Sequence, residues 1–230
     1  MTPARVYLLT SGKGGVGKST LALALADVWA SSGARVALVD FDPQGGATLA
    51  AGVVRPDDPL TAPPVVVHGF TLWPGGRALA LASGEELAQR LDDATPGADV
   101  VVVDCSPALT DAAHAVTLPR ASRVLVVARC DAAGLPNVAE AVQLAQTAHV
   151  PFLVVPTFKG TTGLSREALA FLRGRYGASV AAVEVPTDAK AAEAAGAGRP
   201  VTHTAPRSRV AGAVRALAGE LDSLAVEVAP

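Results

Sequence analysis

Residues 11–20 read Ser-Gly-Lys-Gly-Gly-Val-Gly-Lys-Ser-Thr. Within them Gly12, Gly17, Lys18 and Ser19 have the spacing G-x-x-x-x-G-K-[ST], which suits the binding of phosphate. Backbone without a Cβ can turn its N–H groups inward around phosphate oxygens. Lys18 has the reach to neutralise the outer phosphates, and the Ser19 hydroxyl is an oxygen ligand for Mg²⁺. The apolar run Leu21–Ala26 follows as a helix, its positive N-terminal end facing the same anion. A second lysine, Lys13, lies inside the loop and exceeds the general pattern.

Acidic residues supply the second half of the chemistry. Arg35–Phe41 reads as a strand, and Asp40-Phe41-Asp42-Pro43-Gln44-Gly45 lies at its end. Alternation puts Asp40 and Asp42 on one side and Phe41 on the other. Carboxylates beyond the carboxyl ends of strands, where the loop also lies, can hold Mg²⁺ through water and orient an attacking water. An Asp-Pro turn capping the short helix Gly46–Ala51 needs only one aspartate, so both roles fit together. Val100-Val101-Val102-Val103-Asp104 is a central strand ending in an acid, the shape of a Walker B element.

These groups need a scaffold that brings strand ends together. Arg5–Thr10 reads as the strand before the loop, and Lys18–Ser32 as the helix after it, closed by Gly33. Further strands are expected at Val65–Val67, Phe70–Trp73, Ser122–Ala128, Val150–Pro156 and Val180–Val185. Helices are expected from Ser83, which opens a capping box with Glu86, to Leu91, and over Thr110–Leu118, Pro136–Ala148, Ser165–Tyr176, Asp188–Gly196 and Ser208–Leu224. Sustained β/α alternation predicts an α/β fold, a doubly wound and mostly parallel sheet with helices on both faces, in a single domain over 1–230.

Composition narrows the class. Of 230 residues half are apolar and 17% are charged, as in a folded globular chain. The net charge of −2 gives no global attraction to nucleic acid, so any such contact must be local. No signal segment or membrane span is evident, and the expected location is cytoplasmic. Cys105 and Cys130 lack zinc spacing, and Cys105 is read as a packing residue. His68, His114, His149 and His203 are scattered, form no metal set, and are read as surface or helix-end residues.

Taken together, the chain resembles the ParA/MinD group of deviant Walker ATPases. Lys13-Gly-Gly-Val-Gly-Lys-Ser-Thr20 matches its KGGxGK[ST] signature, and Asp40–Gly45 resembles its second motif. Val103-Asp-Cys-Ser-Pro107 resembles D-[CT]-P-P, with Ser106 where proline is usual. Val185-Pro-Thr-Asp188, followed by Glu193–Val201, resembles the family's ending. The resemblance implies ATP and Mg²⁺ as ligands, with Gly12, Gly14, Gly15, Val16, Gly17 and Thr20 around the phosphates. Lys18 would hold the outer phosphates, Ser19 would ligate Mg²⁺, and Asp40 and Asp104 would lie in its outer shell. Asp42 would orient water. Lys13 would reach the partner's ATP across a nucleotide-sandwich homodimer. Thr157, Phe158, Pro186, Thr187 and Asp188 would lie along the adenine.

The resemblance further implies partitioning of a chromosome or plasmid, nonspecific DNA binding, nucleoid association with ATP bound, and slow hydrolysis stimulated by a ParB-like protein. Thr187 stands where DNA-binding relatives often carry arginine. Lys190, Arg199, Arg207, Arg209 and Arg215 form either a phosphate-binding patch or an ordinary solvated face. The acidic ending Gly219–Pro230 is unlike a basic membrane-lying helix, so no stable membrane anchor is expected. The alternative is a nucleotide-switched protein that positions a protein or membrane-associated cargo without DNA.

Overall fold

Four fully buried valines and an aspartate make Val100–Asp104 the middle strand of a seven-stranded sheet. The computed structural model describes residues 3–131 and 135–226. Its strands are β1 (Arg5–Thr10), β2 (Val36–Asp40), β3 (Val65–Val67), β4 (Phe70–Trp73), β5 (Val100–Asp104), β6 (Arg123–Arg129) and β7 (Phe152–Thr157). They lie in the order β3-β4-β2-β5-β1-β6-β7. All neighbours are parallel except the hairpin β3–β4 at one edge.

Helices cover both faces: α1 (Lys18–Ser31), α2 (Gly46–Ala50), α3 (Gly84–Ala94), α4 (Ala112–Thr117), α5 (Val138–Thr147), α6 (Gly163–Tyr176), α7 (Ala189–Gly196), α8 (Val201–Thr204) and α9 (Arg209–Val226). Period-2 alternation sorts each strand between two cores. Tyr7 and Leu9 pack with α1, α2 and α7–α9, while Val6 and Leu8 pack with α3–α6. This is the expected doubly wound arrangement. Ser83 caps α3 in the expected reciprocal box with Glu86.

The long last helix is bound to the body by specific contacts as well as by burial. Val210, Val214, Leu217 and Leu221 are in the core. Tyr7 stacks on Trp29 at 5.1 Å, Trp29 Nε1 donates to Asp222 Oδ1 at 3.1 Å, and Arg5 pairs with the same carboxylate at 2.5 Å.

One expectation needs correction, and one element was unforeseen. Val180–Val185 is not a strand but touches β7 through a single bridge at Val180. Ala181 and Val185 N–H groups reach β7 carbonyls, but those of Ala182 and Val183 donate to the Glu220 carboxylate of α9. The carboxylate interrupts the ladder. The short helix α8 was not expected. It is fixed by burial of Val201 and by a hydrogen bond from Thr202 Oγ1 to the buried Asp27.

Candidate functional site

The chain leaves β1 at Thr10 and enters α1 at Lys18, which places residues 11–17 beyond the carboxyl end of β1, beside that of its neighbour β5. Gly17 has φ +85°, the left-handed region, and its Cα lies so close to Phe158 that a Cβ would come within 3.2 Å of the ring. Phe158 itself has φ +51°, held with the Arg129 guanidinium 4.7 Å above its ring. A groove of about 210 Å³ is lined by Ser11, by residues 13–20, and by Asp42 and Pro107. It therefore gathers Lys13, Gly14, Gly15, Val16, Gly17, Lys18, Ser19 and Thr20 with Asp42. Lys13 is exposed at its rim.

Beneath the groove lie the other two acids. Asp40 and Asp104 end adjacent strands and are register partners. Both are fully buried. Lys18 Nζ donates to Asp104 Oδ1 at 2.5 Å. Burial works to lower the Lys18 pKa, but the charge and hydrogen bond of Asp104 outweigh it and the net shift is upward. Asp40 is pushed up to about 7, first by burial and then by the charge of Asp104. Three donors hold it in place: Thr48 N at 2.8 Å, Thr48 Oγ1 at 2.7 Å and Asp42 N at 3.1 Å. Asp42 Oδ1 accepts from Gln44 N at 2.8 Å, so its carboxylate is oriented by the turn it begins. Asp42 thus serves the structural turn and still faces the groove.

The residues fit a magnesium–phosphate ligand on structural grounds. Asp104 Oδ2 is buried without a hydrogen-bond partner, in a setting where such an oxygen is costly. Gly46 approaches the Ser19 hydroxyl so closely that a Cβ would lie 2.6 Å from Oγ. Oxygen donors of this kind suit Mg²⁺, and Lys18 suits phosphate.

A second cavity of about 190 Å³ adjoins the groove and shares Gly17 and Thr20 with it. Thr157, Phe158, Pro186, Thr187 and Asp188 all line it, over a floor that includes Val201, Val210 and Val214. Thr157 Oγ1 donates to Val16 O at 2.9 Å and ties the end of β7 to the loop. Asp188 also caps α7, accepting from Lys190 N at 3.0 Å. The apolar lining suits a heterocyclic base. Gly12 lies at the start of the loop, packed against Asn137.

The basic candidates lie elsewhere. Lys190, Arg199, Arg207, Arg209 and Arg215 are exposed, and none lines the groove. Lys190 pairs with Glu193 at 2.6 Å, and Arg215 donates to the Pro206 carbonyl. Among the described residues no His/Cys/Asp/Glu group has metal-site geometry, and no helix is long and apolar enough to cross a membrane. Cys105 and Cys130 are buried, and burial pushes both thiols up, as befits packing residues.

Two residues at the site were not singled out by sequence. Thr48 is the main partner of Asp40, and its hydroxyl also accepts from Gly75 N at 2.8 Å. His114 is not a surface residue: it is 1% exposed and its Nε2 lies 2.8 Å from Thr10 Oγ1. The His114–Thr10 and Thr48–Gly75 contacts link distant stretches, so no local spacing reveals them. A hydroxyl two positions into a helix after the Asp40 turn was the one available hint for Thr48.

The chain is similar to known nucleotide-binding proteins. The chromosome-partitioning ATPase Soj of Thermus thermophilus is 33% identical over 239 residues, covering 94% of this chain and 95% of Soj. Cobyrinic acid a,c-diamide synthase from Mycobacterium smegmatis, solved with a bound ATP analog and magnesium, superposes with a TM-score of 0.77 at 25% identity. That match covers 95% of this chain and 94% of the synthase chain. The cell division ATPase MinD of Pyrococcus furiosus shares the fold, with a TM-score of 0.82 at 22% identity over 96% of this chain and 99% of its own. The family profile described as the CobQ/CobB/MinD/ParA nucleotide binding domain matches residues 7–201. The chain belongs to that family of nucleotide-binding domains.

Proposed function

We propose that the protein is an ATPase switch of the partitioning kind: ATP and Mg²⁺ bring two copies together, the dimer holds DNA without sequence preference, and a ParB-like partner stimulates slow hydrolysis and release. The observation that carries the reading is the single groove holding Lys13, Lys18, Ser19 and Asp42 above the Asp40–Asp104 pair. In this reading Lys18 neutralises the outer phosphates, Asp42 orients the attacking water, and Ser19, with Asp40 and Asp104 behind it, holds the cation. Mg²⁺ supplies charge neutralisation between the phosphates. Lys13, exposed at the rim, serves the partner's nucleotide, and the apolar cavity beside Thr157 and Asp188 takes the adenine. One domain carries all these roles. The similarity to Soj over nearly the full length of both chains supports chromosome or plasmid partitioning as the task, with the protein cytoplasmic and nucleoid-bound in its ATP state.

A second reading is favoured by two contacts. Lys190 is already paired with Glu193, and Arg215 is already hydrogen-bonded to a carbonyl, which leaves less free positive charge for phosphates. In that reading the same switch positions a protein or membrane-associated cargo. The apolar residues of α9 are buried in the core, so a lipid-bound state would need another surface.

Gel-shift of nonspecific DNA in low salt, with and without ATP, tests the choice. An ATP-dependent shift that weakens in R209A and R215A and with added salt supports the DNA reading. Absence of a shift, together with co-sedimentation on anionic liposomes, sinks it.

A further inference from the structure

His114 is a buried titratable residue that the reading above does not use. It belongs to α4, the helix that follows the Asp104 segment, and it reaches across the α3–α6 face of the sheet to Thr10. Thr10 is the last residue of β1 and is fully buried. Val6 and Leu8 face the α3–α6 core, and alternation puts Thr10 on the same side. The phosphate-binding loop leaves β1 at Thr10 and enters α1 on the opposite face. The Thr10–His114 contact is thus at the point where the loop begins.

The imidazole is held in one protonation state. Burial drives its pKa down to about 4, with the Lys18 charge acting in the same direction and Asp111 opposing, so it is neutral in ordinary buffers. Its Nδ1 is buried without a partner. The tautomer that carries its proton on Nε2 and donates it to Thr10 Oγ1 leaves a lone pair, not an N–H, buried at Nδ1.

The other end of this link is set by the Asp104 segment. Between Asp104 and α4 the chain runs through Pro107, which lines the phosphate groove, and Asp111, the N-cap residue of α4. The turn is stiffened by Ser106, whose hydroxyl donates to Asp111 and accepts from Ala108 N at 3.1 Å. One side chain therefore connects the entry of the phosphate loop with the segment that carries the Asp104 carboxylate. Lys18 and Asp104 themselves meet at 2.5 Å; the β1–β5 ladder pairs Leu9 with Asp104, and the Thr10–His114 contact lies just beyond its last pair.

We propose that His114 is a positioning residue for ATP hydrolysis: through its Nε2–Thr10 Oγ1 hydrogen bond it keeps the phosphate-binding loop aligned with the Asp104–Asp111 segment. The proposal rests on the ATPase reading. His114 touches no substrate, so its loss acts on turnover more than on nucleotide affinity. Small misplacements of catalytic groups cost up to about 10²-fold in rate.

The test compares H114L, H114Q and T10V with wild type in single-turnover ATP hydrolysis, nucleotide affinity and thermal melting. The amide introduced by H114Q carries an N–H donor at the reach of Nε2, whereas leucine fills the space without one. Expected are a roughly 10- to 100-fold loss of rate in H114L with little change in ATP affinity. H114Q should recover most of the rate. T10V should lose a similar factor, and the H114L/T10V double variant should lose no more than either single variant. Wild-type turnover in H114L, or additive losses in the double variant, overturns the proposal. If H114L does not fold, near-normal hydrolysis by the isosteric T10V overturns it alone. A wild-type protein that binds ATP without hydrolysing it overturns the functional reading, and the positioning role with it.

Discussion

Lys18 Nζ sits 2.5 Å from Asp104 Oδ1, with 7% of the lysine side chain and none of the aspartate exposed. The lysine that would hold phosphate and the acid that would back the cation are thus each other's partners in this state. In the proposed switch, phosphate would compete with Asp104 for Lys18, and a cation held nearby would compensate the Asp104 charge in its place. Removing Lys18 alone leaves a buried carboxylate without its partner, which typically costs about 3–5 kcal/mol. K18A is therefore expected to lose ATP binding and also to melt well below wild type. The double variant K18A/D104N should regain most of the stability without regaining ATP binding. Equal melting of K18A and wild type would show that the pair does not matter to the fold.

Asp42 faces the groove from a position fixed by its own turn, where Oδ1 accepts from Gln44 N. Its replacement removes the candidate water-orienting group without touching Lys18 or Ser19. D42A should bind ATP with near-normal affinity and lose about 10²–10⁴ in hydrolysis, as expected when a general base is deleted. Size-exclusion chromatography with ATP should show the variant accumulating as a dimer. Normal turnover by D42A would remove Asp42 from that role.

How much of this was readable from sequence depends on the range of the interaction. The loop, the Asp40–Asp42 pair and Asp104 are local patterns, in which spacing alone fixes what faces what. The strands β1, β2 and β5 follow from β-branched and leucine-rich runs that end in acids or in the loop. Other contacts that hold the fold and the site are not local. His114 lies 104 residues from Thr10, and Glu220 lies 37 residues from Val183. A run such as Val180–Val185 has strand composition, yet a carboxylate arriving from α9 takes two of its amides. Likewise α8 is only four residues long and exists because the core and Asp27 hold it. Short helices of that size have almost no intrinsic stability to announce them.

Gly46 gives a test of the candidate cation site that leaves Lys18 intact. A Cβ there would lie 2.6 Å from Ser19 Oγ and 3.2 Å from Ser19 Cβ. The hydroxyl can yield only by rotating away from its present position. G46A should therefore weaken the Mg²⁺ dependence of nucleotide binding by roughly 10-fold or more, the usual effect of disturbing a residue that supports a metal ligand. Nucleotide affinity in EDTA should change much less. Titration of Mg²⁺ at fixed ATP measures the difference. Identical Mg²⁺ curves for G46A and wild type would place the cation away from Ser19.

His114 carries a pH signature of its own, because burial lowers its pKa to about 4 in the folded chain. In the unfolded chain the ordinary value is about 6.5. As pH falls below about 6.5 the unfolded state binds a proton that the folded state refuses. The neutral histidine thus contributes stability that is complete above that pH and drains away as pH falls toward about 4. The full difference corresponds to about 3 kcal/mol. H114Q has no such group, so comparison of the two proteins isolates this effect from every other titrating carboxylate. Urea unfolding at steps from about pH 7.5 to 4.5 should show wild type losing stability relative to H114Q, with a slope approaching 1.4 kcal/mol per pH unit midway. A constant difference across that range would mean that the imidazole takes up a proton as readily folded as unfolded, which its burial against Thr10 and near Lys18 does not permit.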